Sequence, residues 1–374
     1  MLCLAATFTA LLLDAPASGG EGRAAYAPAS LHSATDASPG YEYRIRRITE
    51  RVHLISQVEP FHVQPLGNVT VVEQSDGLVL VDAGGSRRAG ERIAELVRSI
   101  SAKPVKAILL THWHADHVLG ASALLQAWPS AELLSSEVTR AHLAGPEMAM
   151  YPRRSDREAE AALQAQLAES AERLSAAAGR EGTSAQERSG FARTAQDVRA
   201  HAAALRGLRL VIPHRVVADG ERIEDAKAPI QIRLPGPANT DGDLIAWLPR
   251  QQVLVAGDIV VAPIPFGFDV HPSSWAALLD RVAASEFRFL IPGHGAVQTD
   301  PSYLSRVAGA LRRITAQVRS ARAADVPAAE IAARVDNEAE IEAFAGSDPW
   351  LRRWARTYWW DPVVASAIVE SDTR

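Results

Sequence analysis

One stretch decides how this chain is interpreted: Thr111-His112-Trp113-His114-Ala115-Asp116-His117. It follows the apolar run Val105–Leu110, a pattern that predicts a buried strand delivering polar side chains into a turn. Successive side chains alternate along an extended segment, so His112 and His114 are expected on one side, with Asp116 and His117 turning away onto the start of a helix. Imidazole and carboxylate together suit zinc, or iron or manganese where oxygen ligands share the site.

Three later stretches carry the same kind of residue: Gly236-Pro237-Ala238-Asn239-Thr240-Asp241-Gly242-Asp243, then Ala256-Gly257-Asp258, then Pro292-Gly293-His294-Gly295. With the His-x-His-x-Asp-His pattern, their order and context resemble the metallo-β-lactamase superfamily. The resemblance implies an α/β fold, a four-layer αββα sandwich with a metal site at one edge of its two sheets. One position departs from the family pattern, because Asn239 stands where a histidine is usual.

The resemblance also implies a ligand set. His112 and His114 would hold a first metal, Asp116, His117 and His294 a second, and Asp258 would bridge them, with Asp116 and Asp258 as the catalytic carboxylates. Two zinc ions are expected, with iron or manganese as alternatives. Asn239 either contacts the first metal weakly or hydrogen-bonds within its own turn, and Asp241 could supply an oxygen ligand instead.

A bridging aspartate is typical of the glyoxalase II-like and lactonase-like members. The implied reaction is hydrolysis of an ester, lactone, thioester or lactam by a metal-bridging hydroxide. The alternatives are an iron-dependent oxidoreductase or dioxygenase on the same fold, and a metal-poor binding module. The apolar stretch Ala262–Phe268 favours a hydrophobic or amphipathic substrate. The predicted pocket residues are His62, Phe266, Phe268 and His271.

The amino-acid composition limits the classes of molecule that the chain is expected to bind. The 374 residues are 47% hydrophobic and 22% charged, which indicates a globular chain with a sizeable core. The net charge of -5 argues against an obligatory nucleic-acid partner. The resemblance implies a small-molecule substrate. The sequence leaves the oligomeric state open.

The first residues predict export. An apolar run, Met1–Leu13, precedes small residues at positions 15 and 17, as in a signal peptide spanning 1–17, although a basic start is missing. Residues 18–42 have the composition of a flexible linker. The expected location is periplasmic or secreted, with the cytoplasm as the alternative. The run is too short for a permanent membrane span, and Cys3, the only cysteine, lies within it.

The remaining pattern predicts a metallo-β-lactamase-like domain over 43–300 and a helical cap over 301–374. Residues 151–207 have helical spacing interrupted over Gly179–Gly190, which predicts an inserted helical hairpin acting either as a lid or as a structural or dimerising pair. A strand is expected at Leu208–Ile212. The aromatic residues of the tail are expected to pack rather than to bind a cofactor: Trp350, Trp354, Tyr358, Trp359 and Trp360.

Overall fold

A computed structural model describes residues 43–57 and 66–372. The predicted signal peptide, the linker and His62 lie outside these ranges. Within them the strands are β1 (Tyr43–Arg47), β2 (Val52–Gln57), β3 (Val69–Glu73), β4 (Leu78–Val81), β5 (Val105–Leu109), β6 (Glu132–Ser135), β7 (Arg215–Val216), β8 (Arg222–Ile223), β9 (Ile230–Arg233), β10 (Ile245–Leu248), β11 (Val253–Val255) and β12 (Phe289–Ile291).

The α-helices within the same ranges are α1 (Arg87–Ile100), α2 (Ala115–Val118), α3 (Ala121–Ala127), α4 (Glu137–Ala144), α5 (Arg157–Ala178), α6 (Ala185–Ala204), α7 (Pro272–Ala283), α8 (Ser302–Ala323), α9 (Ala328–Ile331), α10 (Glu338–Ala345), α11 (Pro349–Ala355) and α12 (Asp361–Asp372). A π-helical turn, Arg356–Trp360, joins α11 to α12. No helix in the described part of the chain is long and apolar enough to cross a membrane.

The strands form two mixed sheets. One runs in the order β1 to β7, antiparallel from β1 to β4 and parallel from β4 to β7. The other runs β12-β11-β10-β9-β8, with β11 and β12 parallel and the remaining pairs antiparallel. The ligand-bearing strand β5 lies inside the first sheet, and the strand before Asp258 lies beside the strand before His294 in the second.

Alternation along the strands creates two cores. In β4, Val79 and Val81 belong to an apolar cluster shared by both sheets, whereas Leu78 and Leu80 belong to the cluster formed with the helices. All four are fully buried, because both faces of the sheet are covered. Helix α1 packs with α3, and α7 packs with α8. The predicted αββα sandwich is therefore confirmed.

The inserted helical pair is α5 and α6, and its turn is shorter than predicted. A capping box between Ser184 and Glu187 starts α6, so Gly190 lies inside a helix rather than in the interruption. A side chain at Gly190 would overlap the ring of Trp350, whose packing explains a glycine at this helical position. The buried face of α5 includes Leu163, which belongs to the same apolar cluster as the helix-facing side of the first sheet.

The predicted strand at Leu208–Ile212 is wrong. This segment pairs with no strand, and its Leu210 amide donates to the carbonyl of Pro152 at the start of the insertion, 2.8 Å away. Leu208 and Leu210 are nevertheless buried, so their apolar pattern reflects packing rather than a sheet ladder. The seventh strand of the sheet follows instead at Arg215–Val216.

The aromatic tail packs as predicted. Each of the five rings is at most 4% exposed: Trp350, Trp354, Tyr358, Trp359 and Trp360. The cap is tied to the insertion by a buried ion pair between Arg353 and Glu187 at 2.9 Å. The insertion and the cap are thus joined across 166 residues of sequence.

Candidate metal centre

The loop that carries the predicted histidine ligands leaves the first sheet earlier than the sequence pattern predicts. Strand β5 ends at Leu109, and the histidines follow in a turn that leads into α2. His112, His114 and His117 are 0%, 3% and 0% exposed. The loop therefore directs three imidazoles into the protein interior rather than into solvent.

Asp258 is the point on which these rings converge. Its Oδ2 lies 3.4 Å from His112 Nε2 and 3.5 Å from His114 Nδ1. Its Oδ1 lies 3.1 Å from His117 Nε2 and 3.5 Å from His294 Nε2. The two oxygens of one carboxylate thus face two pairs of imidazoles, as expected of a bridging ligand.

The second group of donors is compact. Asp116 Oδ2 lies 2.9 Å from His294 Nε2 and 3.7 Å from His117 Nε2, and the two imidazole nitrogens are 3.1 Å apart. Two nitrogens bound to one tetrahedral zinc ion are separated by about 3.3 Å. We call Asp116, His117, His294 and Asp258 Oδ1 the second metal subsite, and His112, His114 and Asp258 Oδ2 the first.

The first subsite is looser than the second. The tightest group on that side contains His112, His117 and Asp258, with ligand atoms within 4.8 Å of one another, and His114 is not part of it. The second group, Asp116, His117 and His294, satisfies the same limit. The difference places His114 at the edge of the centre.

Unpaired buried atoms indicate that a cation fits here. His112 Nε2 and Asp258 Oδ1 are buried without a hydrogen-bond partner in the described residues. Buried polar atoms are normally paired, because an unmade hydrogen bond in the interior is costly. A metal ion in the first subsite would satisfy His112 Nε2 and one in the second would satisfy Asp258 Oδ1, and the His and Asp donor set matches that use.

The electrostatics of the cluster favour positive charge at its centre. Burial, followed by the charge of His117, lowers the pKa of His112 to about 4, which leaves a neutral imidazole. Burial also opposes charge on His117, but Asp258, Asp116 and Asp82 outweigh it and raise the pKa of His117 above its usual value. Burial would raise the pKa of Asp258, yet the surrounding histidines hold it well below the usual range.

Asp82 orients two of the ligands, a role that was not predicted. Its carboxylate accepts from His117 Nδ1 at 2.9 Å and from the Thr111 amide at 2.8 Å. Thr111 Oγ1 also bonds Asp82 and lies 2.9 Å from His112 Nδ1. With both Nδ1 atoms donating, the Nε2 lone pairs of the two rings face Asp258. The sequence signal that could have indicated this role is an acidic residue directly after β4, the strand that pairs with β5.

Asn68 connects the loop that carries His294 to the first sheet by hydrogen bonds. This role was also not predicted from the sequence. Its side-chain amide donates to the carbonyls of Pro292 and Gly295, and its backbone amide donates to that of Gly293. Gly293 in turn lies against Asp258, since a Cβ there would fall 2.0 Å from Oδ1. These contacts set the distance between His294 and Asp258.

The side chain of Asn239 does not hydrogen-bond within its own turn, and its weak contact with the first metal stays a prediction. Asn239 is fully buried, its Nδ2 donates to the Phe266 carbonyl at 2.8 Å, and its Oδ1 is unpaired in the described residues. Asp241 does not reach the metal subsites, because it pairs with His142 near the surface. Asp243 binds Thr240 within the turn instead.

The predicted pocket residues are partly assembled. Phe266 contacts the His114 ring edge-on at 5.4 Å and Phe268 at 5.1 Å, so the two phenyl rings extend outward from a metal ligand. Both are half-buried. His271 precedes α7 and its amide binds the Ala238 carbonyl, which places it beside the Asn239 turn. Its role in substrate binding stays a prediction.

Comparisons with known proteins agree with this geometry. The model of the metallo-beta-lactamase superfamily matches residues 64–294. The linear primary-alkylsulfatase of Pseudomonas sp. (strain ATCC 19151) is 25% identical over 250 residues, covering 60% of this chain and 40% of that protein. A metallo-beta-lactamase type 2 of Bacillus sp. (strain 170) is 21% identical over 236 residues, covering 62% of this chain and 67% of that protein.

Solved structures share the fold. The sec-alkylsulfatase Pisa1 from Pseudomonas sp. aligns with a TM-score of 0.59 at 17% identity, over 85% of this chain and 50% of that one. The metallo-beta-lactamase from Pontibacter korlensis aligns with a TM-score of 0.50 at 17% identity, over 72% of this chain and 99% of that one. The chain therefore spans about half the length of the structurally aligned alkylsulfatase.

Proposed function

The chain belongs to the metallo-beta-lactamase superfamily, and on that premise we propose that it hydrolyses an ester, lactone, thioester or lactam carrying an apolar group. The observation that carries the proposal is the convergence of four imidazoles on the two oxygens of Asp258, with Asp116 bound to one of those imidazoles, His294. The compact second subsite and the unpaired Asp258 Oδ1 support metal binding at this point.

We assign two zinc ions to the two subsites. Divalent ions held there make hydroxide available near neutral pH and polarise the bond to be cut. The protein's contribution is to fix the ligands: Asp82 holds the imidazoles of His117 and, through Thr111, His112 in the tautomer that leaves Nε2 free. Asp258 spaces the two groups of donors.

Asp116 is the carboxylate best placed to meet the substrate. Its side chain is 18% exposed, whereas those of Asp258 and His294 are 3% and 6% exposed. A carboxylate that is open on one side and bonded to His294 on the other can accept a hydrogen bond from an attacking water and orient it. Burial would raise the pKa of Asp116, but His117 and His294 hold it well below the usual range, so Asp116 stays ionised and combines metal binding with water orientation in this proposal.

The aromatic rim supports the choice of an apolar substrate. Phe266 and Phe268 extend from His114, and the neighbouring Trp113 is also half-buried. Partly exposed rings beside polar donors are typical of sites that bind an apolar group and orient a polar one. The acyl or alkyl part of the substrate would lie along these rings.

A sulfate ester is the second candidate. It is favoured by the sequence similarity to the linear primary-alkylsulfatase, which extends over 60% of this chain. The two candidates share an apolar group and differ in the bond that is cut. The competing reaction class is an iron-dependent oxidation on the same ligands.

The test is metal analysis followed by a substrate panel with one alkyl length. Octanoate methyl ester, octanoyl thioester, a medium-chain lactone, a β-lactam and octyl sulfate would be compared with zinc-loaded protein, with the Asp258→Asn variant as the inactive control. Zinc-dependent hydrolysis of the ester, the thioester, the lactone or the β-lactam supports the leading proposal, and cleavage of octyl sulfate alone supports the second. Redox-active iron without hydrolysis of any member contradicts both.

A further inference from the structure

The ring of His114 is held between two aromatic side chains. Trp113 contacts it edge-on at 4.9 Å and 75°, and Phe266 contacts it at 5.4 Å and 76°. Its Nδ1 is directed toward Asp258. Within residues 43–57 and 66–372, no hydrogen bond reaches its Nε2, so beyond the contact of Nδ1 with Asp258 the tilt of this ring is set by aromatic packing.

His114 differs in this respect from its neighbours. His112 and His117 use Nδ1 to bind Thr111 and Asp82, which fixes both rings. Metal-binding histidines usually donate their second ring nitrogen to such an acceptor. His114 has aromatic packing where the other two have a hydrogen bond.

Trp113 is itself fixed on its far side by His142. The two rings stack at 4.7 Å with an interplanar angle of 22°. His142 Nε2 lies 2.9 Å from Asp241 Oδ2, and His142 Nδ1 lies 3.6 Å from Glu147. Carboxylates on both sides of the imidazole fix its plane, and that plane fixes Trp113.

Both neighbours of His114 therefore connect to one turn. Asp241 acts on Trp113 through His142, and Asn239 binds the carbonyl of Phe266. This is the turn in which the family pattern has a histidine ligand and this chain has Asn239. The turn that lacks a histidine ligand therefore supports the aromatic packing around the ring of His114.

We propose that Asp241, His142 and Trp113 form a positioning relay that holds the His114 ring in place for the first metal subsite. The proposal rests on the metal centre of the proposed function but not on the bond that is cut. Asp241 and His142 touch neither the metal position nor the substrate, whereas Trp113 contacts His114 and also belongs to the aromatic rim. Their effect is on the affinity of the looser subsite.

The test is a titration of metal-free protein with Co²⁺ and Zn²⁺, following the visible Co²⁺ bands and the heat of binding. His142→Ala removes the stacked ring and is expected to weaken the weaker of two binding events about 10-fold, as for other supporting residues of metal ligands. The tighter event should not change. His142→Phe keeps a ring against Trp113 but loses the contacts with Asp241 and Glu147, so it should restore only part of the affinity.

The matched control is His214→Ala, because His214 is exposed and should leave both events unchanged. Thermal unfolding of each metal-free variant separates a general loss of stability from a subsite effect. Two unchanged binding events in His142→Ala overturn the proposal, as does equal weakening of both. Because affinity is measured, the result is the same whether or not the ester panel is hydrolysed.

Discussion

Asp82 shows how a residue outside the ligand motif controls the centre. It occupies the left-handed region at φ 67°, which asparagine also tolerates, and its carboxylate binds Thr111 and His117. Asp82→Asn keeps the shape but offers an amide nitrogen where His117 Nδ1 needs an acceptor. We expect metal affinity to fall about 10- to 100-fold, measured by competition with a chelator. Asp76→Asn, at an exposed carboxylate, is the control, and unchanged affinity in Asp82→Asn would refute the orienting role.

We predict that Asn239 sets the difference in metal affinity between the two subsites. An amide oxygen is a weaker zinc donor than imidazole, so the first subsite should bind its metal more weakly than the second. Asn239→His should strengthen only the weaker event, and Asn239→Asp, nearly the same size in this fully buried position, should strengthen it through charge. Calorimetric titration measures both. A change confined to the tighter event would show that this turn does not serve the first subsite.

The sequence was sufficient for the proposed ligands but not for what holds them. His112, His114, Asp116, His117, Asp258 and His294 stand in short motifs whose spacing carries the chemistry, and the fold brings them together. Asp82, Asn68 and His142 stand in no motif. Their positions follow from the pairing of β4 with β5 and from packing between distant segments, which spacing along one chain does not encode.

At the scale of elements, we propose that the inserted hairpin is a structural pair rather than a hinged lid. Leu167 and Leu174 of α5 are at most 1% exposed and belong to the same apolar cluster as Ile93 of α1. A segment that shares the main core cannot open without exposing it. The helical spacing of the apolar residues predicted the two helices. It did not predict their burial, which depends on contacts with Trp350 and Arg353 of the cap.

The π-helical turn sets the position of the rim loop. Gly267 donates to the Tyr358 carbonyl at 2.8 Å, and a Cβ on Gly267 would fall 2.5 Å from the Trp359 carbonyl oxygen. Gly267→Ala should displace Phe266 and Phe268 and raise KM several-fold for an octanoyl substrate more than for an acetyl substrate.

The affinity of the second subsite should be unchanged in Gly267→Ala, because the loop carries none of its ligands, whereas displacement of Phe266 from His114 should weaken the first subsite. Gly309→Ala in α8 is the control, since its Cβ would meet only the flexible end of Arg313. Steady-state kinetics over a series of acyl lengths gives the comparison. Equal changes in KM for short and long substrates would contradict a role for this rim in binding the apolar group.

At the scale of the whole molecule, His201 makes stability depend on pH. This residue of α6 is 6% exposed, and burial lowers its pKa from 6.5 to about 4, against the opposing charge of Asp116. The unfolded chain therefore binds the proton more readily. The stabilising contribution, on the order of 3 kcal/mol, is complete above pH 6.5 and is lost as the pH falls toward 4.

His201→Gln should flatten that part of the pH profile. Urea unfolding of metal-free protein at pH 7.5 and pH 5 measures the difference, and His112 contributes equally to both proteins. The exposed His214→Gln is the control. If His201→Gln loses as much stability between these pH values as the unsubstituted protein, the pH dependence belongs to other groups.

The central claim is that two unequal metal subsites share Asp258 and together perform hydrolysis. Stepwise addition of zinc to metal-free protein, with binding and turnover of the octanoyl ester followed in the same samples, tests it most directly. We predict a tight binding event at the second subsite, then a weaker event at the first subsite, and full activity only as the weaker event is completed. A single event, two equally tight events, or no zinc-dependent turnover would contradict the account.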